Sequence, residues 1–361
     1  MKWEWKPKMK DIYSFKDNCI SDNASIMDAL NRLDVITNKT LFVVDGDGRI
    51  QGSLTDGDVR RAILKGITLD SNIKEFARSN PFVIHRGEEN RIDSLIKEKK
   101  VGIIPILDDE DRIIDIYIDK KSGKPKTNRV TIPIVIMAGG KGTRLDPYTR
   151  ILPKPLIPVE GIPISERIIK SFIEFGCDEF HMILNYKKNM IRAYYNELDS
   201  GYNIRFYDEE KPLGTGGGVK LLEGVMDSTF VMTNCDILVM HDLADIIEHH
   251  RTSGNVVTMV CSLKNFEIPY GVVNIGYNGE IDSFEEKPQV SFFTNTGYYI
   301  LEKEIFDYIG ENEQIGMPDV VERVRKAGHK VGVYPISENS WLDMGQFDSM
   351  EIMEQRLREL Q

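Results

Sequence analysis

The feature that most constrains this chain is an apolar run, I-P-I-V-I-M-A at 132–138, that leads without a break into the glycine-rich stretch G-G-K-G-T-R at 139–144. An apolar run this short, rich in β-branched residues, reads as a buried strand. The glycines after it let backbone N–H groups close on an anion, and Lys141 and Arg144 add positive charge there. Downstream, further apolar runs alternate with segments of helical period. That is the pattern of an α/β domain with a doubly wound, mostly parallel sheet. In such sheets ligands sit beyond the carboxyl ends of the strands, where this loop falls. The loop lacks the Gly-Lys-Ser/Thr ending of a P-loop and the G-x-G-x-x-G spacing of a dinucleotide turn.

Prolines at 153, 155 and 158 stiffen the backbone around one lysine, Lys154. A rigidly held ammonium beside a phosphate-binding loop suits catalysis; the alternative is a lysine in a solvated connector. Further stretches follow in order: E-E-K-P-L-G-T-G-G-G at 209–218, T-N-C-D at 233–236 after a strand-like F-V-M, S-F-E-E-K-P at 283–288, T-N-T-G-Y-Y-I-L at 294–301 and W-L-D-M-G at 341–345. Asp236, at the end of an apolar run, is placed either to cap a turn or to bind a metal.

Together these stretches, covering roughly 132–349, resemble the sugar-1-phosphate nucleotidyltransferases, the pyrophosphorylases that make NDP-sugars. The resemblance implies a Rossmann-like fold and attack of a sugar-1-phosphate oxygen on the α-phosphorus of a nucleoside triphosphate, expelling pyrophosphate. It implies a nucleotide site at Ala138, Gly139, Gly140, Gly142, Thr143, Gly214 and Thr215, with Arg144 and Lys154 on the triphosphate. Lys287 is then expected to pair with the sugar phosphate and steer the nucleophile, while Glu286, Asn295 and Gly297 hold the sugar. Asp236 and Asp343 would hold Mg²⁺, an oxygen-ligated cation that suits a set without imidazole or thiolate. Two departures stand out: glycines at 216–218 where relatives usually carry a helix-forming Ala, which predicts a looser helix start, and Cys235 where Gly is more usual. A catalytically silent nucleotide sensor is the non-enzyme alternative, but the charged residues are all retained. A glycosyltransferase would carry Asp-x-Asp where this chain has Asp236-Ile-Leu.

The upstream part carries an internal repeat. Residues 25–33 read as helix, 40–44 as strand, 45–48 (D-G-D-G) as a tight turn and 49–54 as the hairpin partner; 91–99, 102–107, 108–111 and 112–118 repeat the order. Two modules with one open apolar face each are expected to pack together. With G-S-L-T-D-G-D at 52–58, this part resembles a tandem pair of CBS domains. The resemblance implies an adenine nucleotide site at Thr55 and Asp58; the alternative there is a plain helix-capping pair. The second copy lacks the matching Gly and Thr. The polar, basic stretch 119–129 marks the boundary, giving a CBS pair at 1–122, a linker at 123–130 and a transferase domain at 131–361.

Lys and Arg total 46 against 57 Asp and Glu, a net charge of −11, so neither a nucleic acid nor an anionic membrane is expected as partner. No apolar run is long enough to span a bilayer. The charged, aromatic start M-K-W-E-W-K lacks a secretory pattern, and four scattered cysteines without a C-x-x-C pair point to reduced thiols, so a cytoplasmic protein is expected. His249 and His250 read as solvated residues near a helix end rather than metal ligands. An amphipathic helix with Phe347, Met350, Leu357 and Leu360 closes the chain, so no acyltransferase module is expected after it. A CBS pair ahead of such a transferase resembles the guanylyltransferases of bacterial legionaminic acid pathways, implying GTP and glucosamine-1-phosphate as substrates and a homo-oligomer. Mannose- or heptose-1-phosphate guanylyltransferases and UDP- or dTDP-sugar enzymes share the loop motifs and stay open.

Overall fold

The computed structural model describes residues 15–36, 38–99, 101–119, 129–198 and 201–359. The chain divides into two compact units, Met1–Lys126 and Thr127–Gln361. Most of the expected linker, 123–128, and Leu360 of the last helix lie outside the described residues.

The first unit runs β1 (Cys19–Ser21), α1 (Ile26–Val35), β2 (Thr40–Val44), β3 (Ile50–Thr55), α2 (Asp56–Leu64), β4 (Ile84–His85), α3 (Ile92–Lys99), β5 (Ile103–Leu107) and β6 (Ile113–Ile118). Each module is a three-stranded sheet with one parallel and one antiparallel pair, β1-β2-β3 and β4-β5-β6. The two hairpin turns are built alike. Asp45 Oδ1 accepts from the N–H groups of Asp47 (3.0 Å) and Arg49 (2.9 Å), and Asp108 Oδ1 does the same for Glu110 (3.0 Å) and Arg112 (2.9 Å). These side-chain-locked turns also join the modules, because Ile50 N–H donates to the Asp111 carbonyl at 3.0 Å and Ile113 N–H to that of Gly48 at 3.3 Å. Phe42, Leu107 and Ile113 bury a shared cluster beneath them. The expected packing of two open faces on each other is therefore present.

The second unit contains β7 (Ile134–Ala138), α4 (Tyr148–Ile151), β8 (Pro158–Val159), β9 (Ile162–Pro163), α5 (Ile164–Glu174), β10 (Glu179–Leu184), α6 (Lys188–Glu197), β11 (Asn203–Asp208), α7 (Gly214–Gly217), β12 (Phe230–Asn234), β13 (Ile237–Val239), α8 (Leu243–Ser253), β14 (Val257–Glu267), β15 (Val272–Ile275), β16 (Ile281–Glu285), β17 (Gln289–Leu301), α9 (Met317–Lys326), β18 (Val331–Ile336), β19 (Trp341–Asp343) and α10 (Phe347–Glu359). Its seven-stranded sheet has the order β11-β10-β7-β12-β17-β14-β18, and only β17 runs against the others. The chain leaves β7 toward β10 and β11 and later returns to place β12 on its other side. The topological switch point thus lies at the carboxyl end of β7, where the glycine-rich loop begins.

Both faces of this sheet are buried, which is why β7 is apolar throughout. Ile134, Ile136 and Ala138 face a core built with Ile168, Ile169 and Phe172 of α5, while Val135 and Met137 face a second core with Val320, Val321 and Val324 of α9. The reading of His250 as solvated is corrected. It is buried, with Nδ1 2.8 Å from Thr258 Oγ1 and Nε2 3.0 Å from Glu302 Oε1, because it continues the apolar face of Leu243, Ile246 and Ile247 one turn further along α8. All four cysteines are free; Cys177, Cys235 and Cys261 are buried, and burial pushes the Cys235 thiol up to about 12. Among the described residues no helix is long and apolar enough to cross a membrane.

Candidate active site

The loop after β7 folds back onto the lysine-bearing connector. Gly142 has φ +65°, and a Cβ there would stand 2.8 Å from Thr149 Cγ2 and 3.0 Å from Lys154 Cβ, so the close approach requires glycine. Buried Leu145 pins the short turn Thr143–Leu145 that presents Arg144. On the connector, Ser165 Oγ donates to the Pro155 carbonyl at 2.7 Å and lies 2.6 Å from Tyr195 Oη. Lys154 is itself buried, and its Nζ forms an ion pair with Asp236.

A two-stranded ladder sets the carboxylates. Strand β13 pairs antiparallel with β19, placing Ile237 opposite Asp343, and the Met344 N–H donates to the Asp236 carbonyl at 2.9 Å. Burial and then the charge of Asp236 raise the Asp343 carboxyl above its ordinary value, against the opposing pull of Lys154 and Arg144. Arg144 Nη1 borders Asp343 beside Gly345.

At 216–218, where a looser helix start is expected, the regular turn is only four residues long and passes into a 3₁₀ segment, Gly218–Leu222, yet it is closely packed. Gly214–Gly217 form a helical turn, and a Cβ on Gly217 would lie 2.0 Å from the Glu313 carbonyl oxygen. The glycines let this turn seat against the segment before α9, where the Gly216 and Gly217 N–H groups donate to Ile315 O at 3.0 and 3.1 Å. Thr215 Oγ1 accepts from the Met317 N–H at 3.0 Å.

Two chambers open here. One of about 400 Å³ is lined by Gly139, Gly140, Gly142, Thr143, Arg144, Lys154, Glu209, Gly214, Thr215, Asn234 and Asp236. The other, of about 300 Å³, is lined by Arg144, Thr215, Asn234, Asp236, Asn295, Thr296, Gly297, Tyr299, Trp341 and Asp343. They share Arg144, Thr215, Asn234 and Asp236, so two small molecules held one in each would meet at that carboxylate. Ala138 is buried at the end of β7 and lines neither. Glu286 and Lys287 are not brought to this place: both are exposed beyond β16, and roughly 25 Å of extended β17 leads from Lys287 to Asn295. Asn295 is engaged locally, donating to Tyr299 Oη at 2.5 Å and accepting from the Gly297 N–H at 3.0 Å.

Sequence reasoning missed Glu209, Asn234, Thr296, Tyr299 and Trp341 as lining residues. Glu209 is buried where Glu210 is exposed. Its carboxylate lies against Gly139 and Gly218 in the first chamber, and burial raises it above the usual range, opposed by a hydrogen bond from the Leu213 N–H. No local signal separates the two neighbouring glutamates. In the first unit, Thr55 and Asp58 form a reciprocal capping box: the Asp58 N–H donates to Thr55 Oγ1 at 3.2 Å and the Thr55 N–H to Asp58 Oδ2 at 3.0 Å. Arg61 and Arg78 also pair with Asp58. Burial works against the Asp58 charge, but these contacts prevail and hold its carboxyl below the ordinary value.

A doubly wound α/β domain with its ligand chambers at the switch point is the class these features define. The chain belongs to the Nucleotidyl transferase family, whose profile matches residues 134–359; a CBS domain profile matches 10–65. It is 31% identical over 232 residues to the UTP–glucose-1-phosphate uridylyltransferase of Synechocystis sp., covering 58% of this chain and 59% of that one. It is 32% identical over 224 residues to mannose-1-phosphate guanyltransferase 2 of Candida glabrata, covering 59% and 61%. The chain thus spans about three fifths of the length of these two curated relatives. The crystal structure of HddC from Yersinia pseudotuberculosis shares the fold, with a TM-score of 0.50 at 23% identity over 63% of this chain and 99% of that one.

Proposed function

We propose that this protein joins a nucleoside triphosphate to a sugar-1-phosphate, releasing pyrophosphate and an NDP-sugar. The observation that carries this reading is the pair of chambers meeting at Asp236, with Lys154 and Arg144 on the phosphate side. The glycine-loop N–H groups and Arg144 would cradle the triphosphate, and Lys154 would stabilise charge developing at the α-phosphoryl group. An acceptor in the second chamber would attack in line with the departing pyrophosphate. Lys287 and Glu286, exposed beyond β16, would act on that acceptor once the β15/β16 hairpin folds toward the second chamber.

The acidic pair fits a divalent cation. Buried Asp236 and half-buried Asp343 lie close enough to interact, and burial and then the Asp236 charge raise the Asp343 carboxyl. Asp236 and Asp343 would therefore hold Mg²⁺ together with phosphate oxygens and water. Bound there, the cation would neutralise phosphate charge.

We read the base as guanine and the acceptor as glucosamine-1-phosphate. The guanine reading is supported by Glu209, a buried acceptor suited to the adjacent N1–H and N2–H₂ donors of that base; the sugar reading is supported by the CBS match ahead of the transferase domain. Pyrophosphate release is expected with GTP and glucosamine-1-phosphate from a grid of triphosphates and sugar phosphates. Glu209→Gln is expected to lower kcat/KM for GTP by about 10–100-fold and to spare UTP; an equal loss for every base would remove Glu209 as the reader, and silence across the grid would favour a sensor.

The CBS part would bind an adenine nucleotide near Thr55 and Asp58 and associate with a second copy. Asp58→Ala is expected to cost about 1 kcal/mol through the lost hydrogen bonds from the Thr55 N–H and hydroxyl and to weaken AMP or ATP binding in a titration. Unchanged nucleotide affinity alongside the lower melting temperature would leave Asp58 with the capping role alone.

A further inference from the structure

We infer that Lys154 competes with the divalent cation for Asp236, so that the carboxylate pair takes up the cation only when a phosphate-bearing ligand draws the ammonium away. This rests on the reading of Asp236 and Asp343 as the cation's ligands. The Lys154 side chain is 11% exposed and that of Asp236 10%, so their ion pair is formed largely out of water, where a like charge added nearby is poorly screened. Asp236, Asp343, Lys154 and Arg144 carry formal charges that sum to zero. A divalent cation entering this set brings two positive charges with no counter-charge.

The lysine cannot retreat with its backbone. The Ser165 bond to the Pro155 carbonyl, Pro153 and Pro155 on either side, and Gly142 against its Cβ hold the connector in place. Only the flexible stem can carry the ammonium elsewhere, and the first chamber, where a triphosphate would lie, is the space open to it. By linkage, whatever the cation does to the ammonium's hold on Asp236, the ammonium does to the affinity of the cation.

The test is titration of the full chain with Mn²⁺ alone, without nucleotide, read as loss of the free-ion EPR signal. Lys154→Met and Lys154→Gln are each expected to bind Mn²⁺ on the order of tenfold more tightly than the unaltered chain, whereas Lys154→Arg, which keeps the charge, is expected to match it. Either neutral variant serves once its melting curve shows it folded. Unchanged or weaker binding in a folded neutral variant, no binding by any of them, or equal tightening by Lys154→Arg would overturn the inference. Turnover separates it from the reading beneath it. Tighter Mn²⁺ binding with turnover retained sinks the catalytic role of Lys154 alone; lost turnover with unchanged Mn²⁺ affinity sinks the competition alone.

Discussion

Asp236→Asn and Lys154→Met are each expected to lower turnover by about 10²–10³-fold while leaving the domain folded. The fold should survive because the structural duties of Asp236 are carried by its backbone. The Met344 N–H donates to its carbonyl, and the β13/β19 ladder does not use its carboxylate. Lys154 then loses its ion-pair partner but keeps Asp343 within electrostatic reach. The replacements are close in shape, so Pro155, Ser165 and Tyr195 retain their contacts. Pyrophosphate release measured beside thermal melts decides the point. Near-normal turnover in both variants would leave the two chambers without the chemistry assigned to them.

Gly217→Ala should be strongly destabilising, more so than alanine at the other glycines whose surroundings are described. The new carbon would fall 2.0 Å from a backbone oxygen, that of Glu313, which cannot swing aside as a long side chain would. Either the glycine turn lifts off or the segment before α9 shifts, at about 2–3 kcal/mol, seen as a melting temperature lower by roughly 4–12 °C. Thr215 is hydrogen-bonded to Met317 at the start of α9, directly after that segment, so nucleotide affinity should fall with it. Gly201→Ala, where the added carbon meets nothing within 4 Å, is the control and should stay within about 0.5 kcal/mol of the parent. Equal melting of the two variants would show that the turn tolerates a side chain.

Much of this arrangement was legible in the sequence because it is local. Ser25 with Asp28 and Thr55 with Asp58 announce helix starts three residues apart, and both form capping boxes. The apolar period of β7, the glycines behind it and the proline-flanked lysine are likewise short-range patterns. What escaped depends on which segments meet. Glu209 and Glu210 differ only in which one turns under Gly139 and Gly218. His250 is read correctly only if the helical period is carried one turn beyond Ile247, against the polarity of the residue. The close packing of Gly216 and Gly217 depends on backbone almost a hundred positions further on, and that of Gly218 on Met137, Ile183 and Glu209. The distance of Glu286 and Lys287 from the chambers follows from β14 and β17 staying paired from Val257 to Glu267, a long-range register that no short motif encodes.

The residues found in only one of the two chambers come from different stretches of chain. Most of those exclusive to the first lie at the end of β7, in the loops after β7 and β11 and in the connector at Lys154, whereas most of those exclusive to the second, Asn295, Thr296, Gly297, Tyr299, Trp341 and Asp343, belong to β17 and β19; Cys235 and Ile237, on either side of Asp236, fall one to each. Shuffling these blocks between homologous sequences would exchange what occupies one chamber while leaving the other intact. On the proposed function, pairings of bases with sugars would in this way diversify by recombination of a few short segments, with Asp236 as the fixed seam.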